Sequence, residues 1–177
     1  MRILLLVKLF QEWNNQTEYC RKIIETQKEN EFLILTAGDC EGITTGDNYR
    51  IYKGNNIIRA DNFYNWTMVI NNSLSSAYAM VDQDFDIIHC NDWECFPTAL
   101  AIKEKTGKPL VTTLHSTEET RGWASPYSSL VKDMEKEACD NSDELICMNE
   151  KIREHTGKGL VADAEKTIEV YNKLCAS

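Results

Sequence analysis

Apolar positions along this 177-residue chain come in short unbroken runs, and these alternate with longer stretches in which they recur every three or four residues. The runs "RILLLVK" (2–8), "EFLILTA" (31–37), "DIIHC" (86–90), "PLVTTLH" (109–115) and "ELICM" (144–148) predict strands buried on both faces. Between them, "QTEYCRKIIETQKE" (16–29), the stretch from about Trp66 to Val81, and "CFPTALAIKEKTG" (95–107) predict amphipathic helices, the last ending at Gly107. Pro126 opens a further helix in "PYSSLVKDMEKEACDNS", and Asn149 is suited to capping a short one in "NEKIREHTG". The pattern is weakest from Gly38 to Asp61, where turns join short strands and "YRIYK" with "NIIRA" reads as a hairpin. The last strand is expected over "KTIEVYN" (166–172). Strand and helix in alternation give an α/β fold: a doubly wound, mostly parallel, Rossmann-like sheet with helices on both faces, formed by residues 1–177 as one domain.

In an open parallel sheet, ligands bind beyond the carboxyl ends of the strands, where loops diverge and helix N-termini point into the crevice. Three such ends carry polar groups: Lys8 with the following "LFQEWNN", the turn "HCNDWE", and "HSTEETRGW" from His115 to Trp123. His89, Asp92 and His115 would then converge on one rim, since consecutive β-α units are neighbours in a sequentially wound sheet. Two readings of the first turn stand side by side. Asp92 or Glu94 would cap the following helix without any ligand. Alternatively, a histidine, a carboxylate and the Trp93 ring suit a sugar, whose hydroxyls donate to carboxylates and whose C–H face packs on an aromatic ring. His115 is followed at once by Ser116, Thr117 and Glu118, which adds hydroxyls and a carboxylate to the same rim.

Composition narrows the choice. With 28 acidic against 19 basic residues the net charge is -9, which opposes binding to a nucleic-acid backbone. Seven cysteines without a C-x-x-C pair indicate neither a disulfide framework nor a zinc site, and no metal site is expected. The start "MRILLLVKLFQEW" reads as a first strand rather than a signal peptide, no run approaches the length of a membrane span, and the expected location is the cytoplasm. No G-x-G-x-x-G or P-loop follows the first strand; the first glycine is Gly38.

The stretch "DIIHCNDWECFPTALAIKEKTGKPLVTTLHSTEETRG" (86–122) resembles the N-terminal half of glycogen and starch synthases and related family 4 glycosyltransferases, with their H-x-H-D-W turn followed by T-x-H-[NS]. Weaker likeness continues through "EKEACDNSDELICMNEKIRE", and "KTIEVYNKL" is similar to the strand with which that lobe hands over to the second. The resemblance implies one acceptor-side lobe of the two-lobed GT-B architecture, acting on glucose from a nucleotide sugar such as ADP- or UDP-glucose and an α-glucan or oligosaccharide acceptor, with retention and without a bound cofactor. It assigns Asp92 and His115 to the walls around the transferred sugar, where they would orient hydroxyls and stabilise an oxocarbenium-like state. His89, Trp93, Ser116 and Glu118 follow as substrate contacts, with Trp93 expected to pack beside the turn and Glu118 as the weaker contact. Two local departures stand out. The glycine loop after the first strand is replaced by "LFQEWNNQTEY", and Asn91 stands where the motif has a second histidine.

On this resemblance the chain ends at Ser177 where a second lobe is expected, together with the residues that grip the nucleotide diphosphate. By itself it is therefore expected not to transfer sugar efficiently. Three readings follow: an enzyme lobe completed by a second lobe or chain, a non-catalytic glucan-binding or regulatory subunit, and a small flavodoxin-like binding module. The last leaves the "HCNDW" and "HSTE" turns without a role. A lobe separated from its partner would expose an uncharged crevice, so a homo-oligomer is also expected in isolation.

Overall fold

A computed structural model of the chain describes residues 1–10, 14–38, 42–56, 62–122 and 126–176. Eight strands form one sheet: β1 (Arg2–Val7), β2 (Glu31–Gly38), β3 (Gly42–Thr45), β4 (Tyr49–Asn56), β5 (Ile87–Asn91), β6 (Leu110–Leu114), β7 (Glu144–Cys147) and β8 (Leu160–Val161). Their order is β3-β4-β2-β1-β5-β6-β7-β8, and every neighbouring pair is parallel except β3 with β4. The chain winds outward from β1 through β2 to β4, then returns to β1's other side and winds through β5 to β8. The direction of winding thus reverses between β1 and β5, where the loops must part.

The helices are α1 (Asn15–Thr26), α2 (Phe63–Ala79), α3 (Phe96–Thr106), α4 (Glu118–Arg121), α5 (Ser128–Asn141), α6 (Glu150–Thr156) and α7 (Thr167–Cys175), with a 3₁₀ turn at Trp93–Cys95. Alternation along β1 assigns them to two faces. Ile3, Leu5 and Val7 share a core with Tyr19, Cys20, Ile23 and Ile24 of α1 and Val170 and Tyr171 of α7. Leu4 and Leu6 pack with Ile70, Leu74 and Ala77 of α2, Phe96, Ala99 and Ile102 of α3, and Ala138 of α5. Both faces of β1 are covered, which is why "RILLLV" has no polar alternation.

Local chemistry sets the helix ends. The side chains of Asn14, Asn62 and Asn149 accept from the amides of Thr17, Asn65 and Ile152 at the starts of α1, α2 and α6. Gly107 ends α3 in the left-handed conformation at φ 69°, as its place in the sequence predicts. Helix α2 lies tight on β4, because a Cβ on Gly54 would stand 1.7 Å from the carbonyl oxygen of Ser73. It is also bolted to the start of α3: Asn71 Nδ2 donates to Glu94 O at 2.9 Å, and Thr98 N donates to Asn71 Oδ1 at 3.0 Å.

Two expectations are corrected. "KTIEVYN" is the body of α7 rather than a strand, because Thr167, Val170 and Tyr171 form one buried helical stripe. The hairpin pairs "YRIYK" with the preceding "GITT", not with "NIIRA"; Gly46 N donating to Tyr49 O closes the turn, and residues 57–60 lie outside those described. Pro126 stands in a turn just ahead of α5. The two-residue strand β8 has no sequence signal of its own.

Candidate functional site

At the point where the winding reverses, a cleft of about 650 Å³ opens over the carboxyl ends of β1, β5 and β6. It is lined by Lys8 and Leu9 after β1, Asn14, Asn15 and Gln16 at the start of α1, Trp66 on α2, Asp92 after β5, and His115 and Ser116 after β6. Strand register brings these ends level, with Leu5 opposite His89 and Asn91 opposite Thr113.

Asp92 sits where strand turns to helix. Its backbone, at φ 70° and ψ 160°, is the one positive-φ position among the described residues that is not glycine. That region is nearly closed to residues with a side chain, and occupying it costs on the order of 1–3 kcal/mol. The surroundings hold it there: Asp92 N donates to Thr113 O at 2.8 Å, and its carbonyl accepts from Cys95 N at 3.3 Å. The carboxylate, 3% exposed, accepts from Gln16 Nε2 at 2.7 Å and from Trp93 N at 3.1 Å. Burial, reinforced by nearby Glu94, pushes its pKa up to about 7. The group therefore accepts a hydrogen bond from a hydroxyl when ionised and donates one when protonated, within the physiological range.

Lys8 reaches across to Glu94 with bonds of 2.7 and 2.8 Å to its two carboxylate oxygens. Burial works against the ammonium, but Glu94 outweighs it and the Lys8 pKa is raised, so the two form an ion pair beside Asp92. His115 is held neutral, its pKa lowered to about 4 by burial. Its Nε2 is buried and has no hydrogen-bond partner among the described residues. Leaving a buried ring nitrogen unpaired is costly, which marks it as a candidate for recognition.

The remaining sequence candidates divide. Ser116 lines the cleft. His89 does not: it is 0% exposed, its two ring nitrogens engage Tyr171 Oη and Thr113 Oγ1, and burial, with His115 nearby, lowers its pKa to about 3. Trp93 is 3% exposed, packs with Leu114, Val131 and Ile152, and has the Arg121 guanidinium 5.7 Å from its ring centre. Glu118 is turned into a buried ionic network in which Arg121 bonds to both Glu118 and Glu135, at 3.2 and 2.7 Å, and Ser128 donates to Glu118. Burial raises the Glu135 pKa to about 7. No cluster of three or more His, Cys, Asp or Glu suited to a metal occurs among the described residues.

Sequence reasoning placed Asn14 and Asn15 at this rim only within the segment after Lys8, and missed Gln16 and Trp66 as cleft residues. The amides had a signal, since "NNQ" opens the helix after β1. Trp66 had none, because its place depends on how closely α2 lies on β4.

Residues 32–172 match the sequence profile of Glycosyltransferase Family 4. The chain belongs to this family. Among curated members, it is 25% identical over 155 residues to an uncharacterized glycosyltransferase of Methanocaldococcus jannaschii, covering 81% of this chain and 40% of that protein. It is 37% identical over 82 residues to the glycogen synthase of Mycobacterium tuberculosis, covering 42% of this chain and 20% of that one. The chain thus spans well under half of the length of the curated relatives it matches. Among solved structures, sucrose-phosphate synthase of Thermosynechococcus elongatus superposes with a TM-score of 0.64 at 15% identity, over 82% of this chain and 41% of that one. The catalytic domain of starch synthase IV from Arabidopsis thaliana, bound to ADP and acarbose, superposes with a TM-score of 0.55 at 10% identity, over 98% and 50%. This family 4 chain has the Rossmann-like α/β fold of one lobe of these GT-B enzymes.

Proposed function

We propose that these residues form the sugar-side lobe of a retaining glycosyltransferase that moves glucose from a nucleotide sugar to an α-glucan. The observation that carries the reading is the convergence of Asp92 and His115 on one cleft at the reversal of the sheet, with His115 Nε2 unpaired among the described residues. Asp92 would take a sugar hydroxyl, and neutral His115 a second. The half-buried ring of Trp66 would cover an apolar sugar face, in place of the buried Trp93. Held rigidly, these groups would favour the oxocarbenium-like state by position and by charge. Lys8 contributes a cation, but the groups that hold the diphosphate would come from a facing lobe, either further along the same polypeptide or on another chain.

A second reading, a glucan-binding or regulatory subunit without transfer activity, is favoured by one contact. Gln16 Nε2 already occupies Asp92 Oδ2, in the segment that replaces the glycine loop of the synthases. The first reading, and the glucan-binding form of the second, require the cleft to bind saccharide. Calorimetric titration with a maltooligosaccharide tests this: Trp66→Ala should weaken binding by roughly three- to tenfold, the worth of one aromatic contact, and Asp92→Ala should weaken it at least as much. Equal affinity in wild type and both variants would overturn the assignment.

A further inference from the structure

Beneath the cleft, five side chains form a continuous hydrogen-bonded relay whose two ends both lie on α7. Thr167 Oγ1 donates to Asp163 O at 2.8 Å, so its oxygen is left to accept from the Tyr19 hydroxyl at 2.7 Å. Tyr19 in turn accepts from Thr113 at 3.4 Å, and Thr113 accepts from His89 Nε2 at 2.7 Å. His89 Nδ1 then accepts from the Tyr171 hydroxyl. With the 3.4 Å contact counted as a bond, the donation by Thr167 sets the direction of the others and makes His89 the Nε2–H tautomer. Thr167 and Tyr171 are one helical turn apart, so α7 closes the relay at both ends.

The member that touches a cleft residue is Tyr19. Its ring meets His115 edge-on, with centroids 5.3 Å apart and planes at 80°, and it meets His89 at 6.3 Å and 87°. His115 Nε2 makes no hydrogen bond among the described residues, so that nitrogen does not fix the ring, and the Tyr19 ring packed edge-on against it does. On the other side of the same cleft, Gln16, three residues earlier on α1, holds Asp92. We propose that Tyr19 is the positioning residue for His115, and that α7, by anchoring the relay, sets the orientation of that imidazole. The functional weight of this inference rests on His115 being a sugar contact; the positioning itself does not.

The test uses the full chain and the Cε1–Hε1 resonances of its histidines, assigned by replacing each in turn, in Tyr19→Leu, Tyr19→Phe and Thr167→Val. Tyr19→Leu is expected to move the His115 resonance and to weaken maltotriose binding by roughly three- to tenfold. Tyr19→Phe keeps the ring but severs the relay, and should move the His115 resonance less than Tyr19→Leu and at least as far as Thr167→Val. Thr167→Val should move the His115 resonance in the same direction as Tyr19→Leu but less, while the amides of α7 exchange faster. If Tyr19→Leu does not fold, Thr167→Val decides alone. An unmoved His115 resonance in the folded variants would overturn the inference. A resonance moved in Thr167→Val, where the Tyr19 ring remains, in a protein that binds no maltotriose would uphold the positioning and overturn the sugar-site reading instead.

Discussion

At Asp92 a strained backbone and a buried carboxylate burden the same residue, a combination that stability alone would not retain. The carboxylate's contribution has a definite sign. Its folded pKa of about 7 lies above the ordinary carboxylate value, so between about pH 4 and pH 7 the folded state holds a proton that the unfolded chain has released. Stability from this group therefore falls as pH rises through that window. Asp92→Asn should match wild type near pH 4 and exceed it at pH 8 by roughly 2–4 kcal/mol, as read from denaturant unfolding; an advantage that shrinks with rising pH would contradict the assignment. His89 and His115 act with the opposite sign. Held neutral with pKa values of about 3 and 4, they stabilise the fold fully above about pH 6.5 and lose that contribution as pH falls. Asp92 and His115 were legible in the sequence because polar residues directly after apolar runs must lie at strand ends. His89 misled for the same reason: it lies inside β5, and only the arrival of Tyr171 and Thr113 shows that its nitrogens are already used.

Elements place these residues through packing that the sequence displays unevenly. The parallel strands were readable because each is an apolar run bounded by polar turns. Helix α7 was not, since Ile168 and Val170 alternate as a strand would, and the stripe Thr167, Val170, Tyr171 becomes decisive only once a sheet face is there to receive it. The antiparallel β3 escaped because its four residues are mostly exposed and carry little pattern. Helices α4 and α5 meet through Arg121, which serves two buried carboxylates. Removing one partner of such a group leaves uncompensated charge, so Arg121→Met should cost about 3 kcal/mol at pH 8. The loss should be smaller at pH 5, where Glu135, with a pKa of about 7, carries its proton. Chemical denaturation at the two pH values checks this, and an equal loss at both would contradict the network as described.

Across the whole molecule, the reversal of winding between β1 and β5 makes the cleft, in a chain that belongs to Glycosyltransferase Family 4. No helix among the described residues is long and apolar enough to cross a membrane. The central claim is that the cleft binds a saccharide between Asp92, His115 and Trp66. Titration of the full chain with a maltooligosaccharide, followed by amide and indole NMR resonances, tests it most directly, with Asp92→Ala and His115→Ala as controls. Saturable shifts are expected at Gln16, Asp92, Ser116 and the Trp66 indole, requiring several-fold more saccharide or failing to appear in both variants. Shifts that lie away from these residues, or none at saturating saccharide, would contradict it.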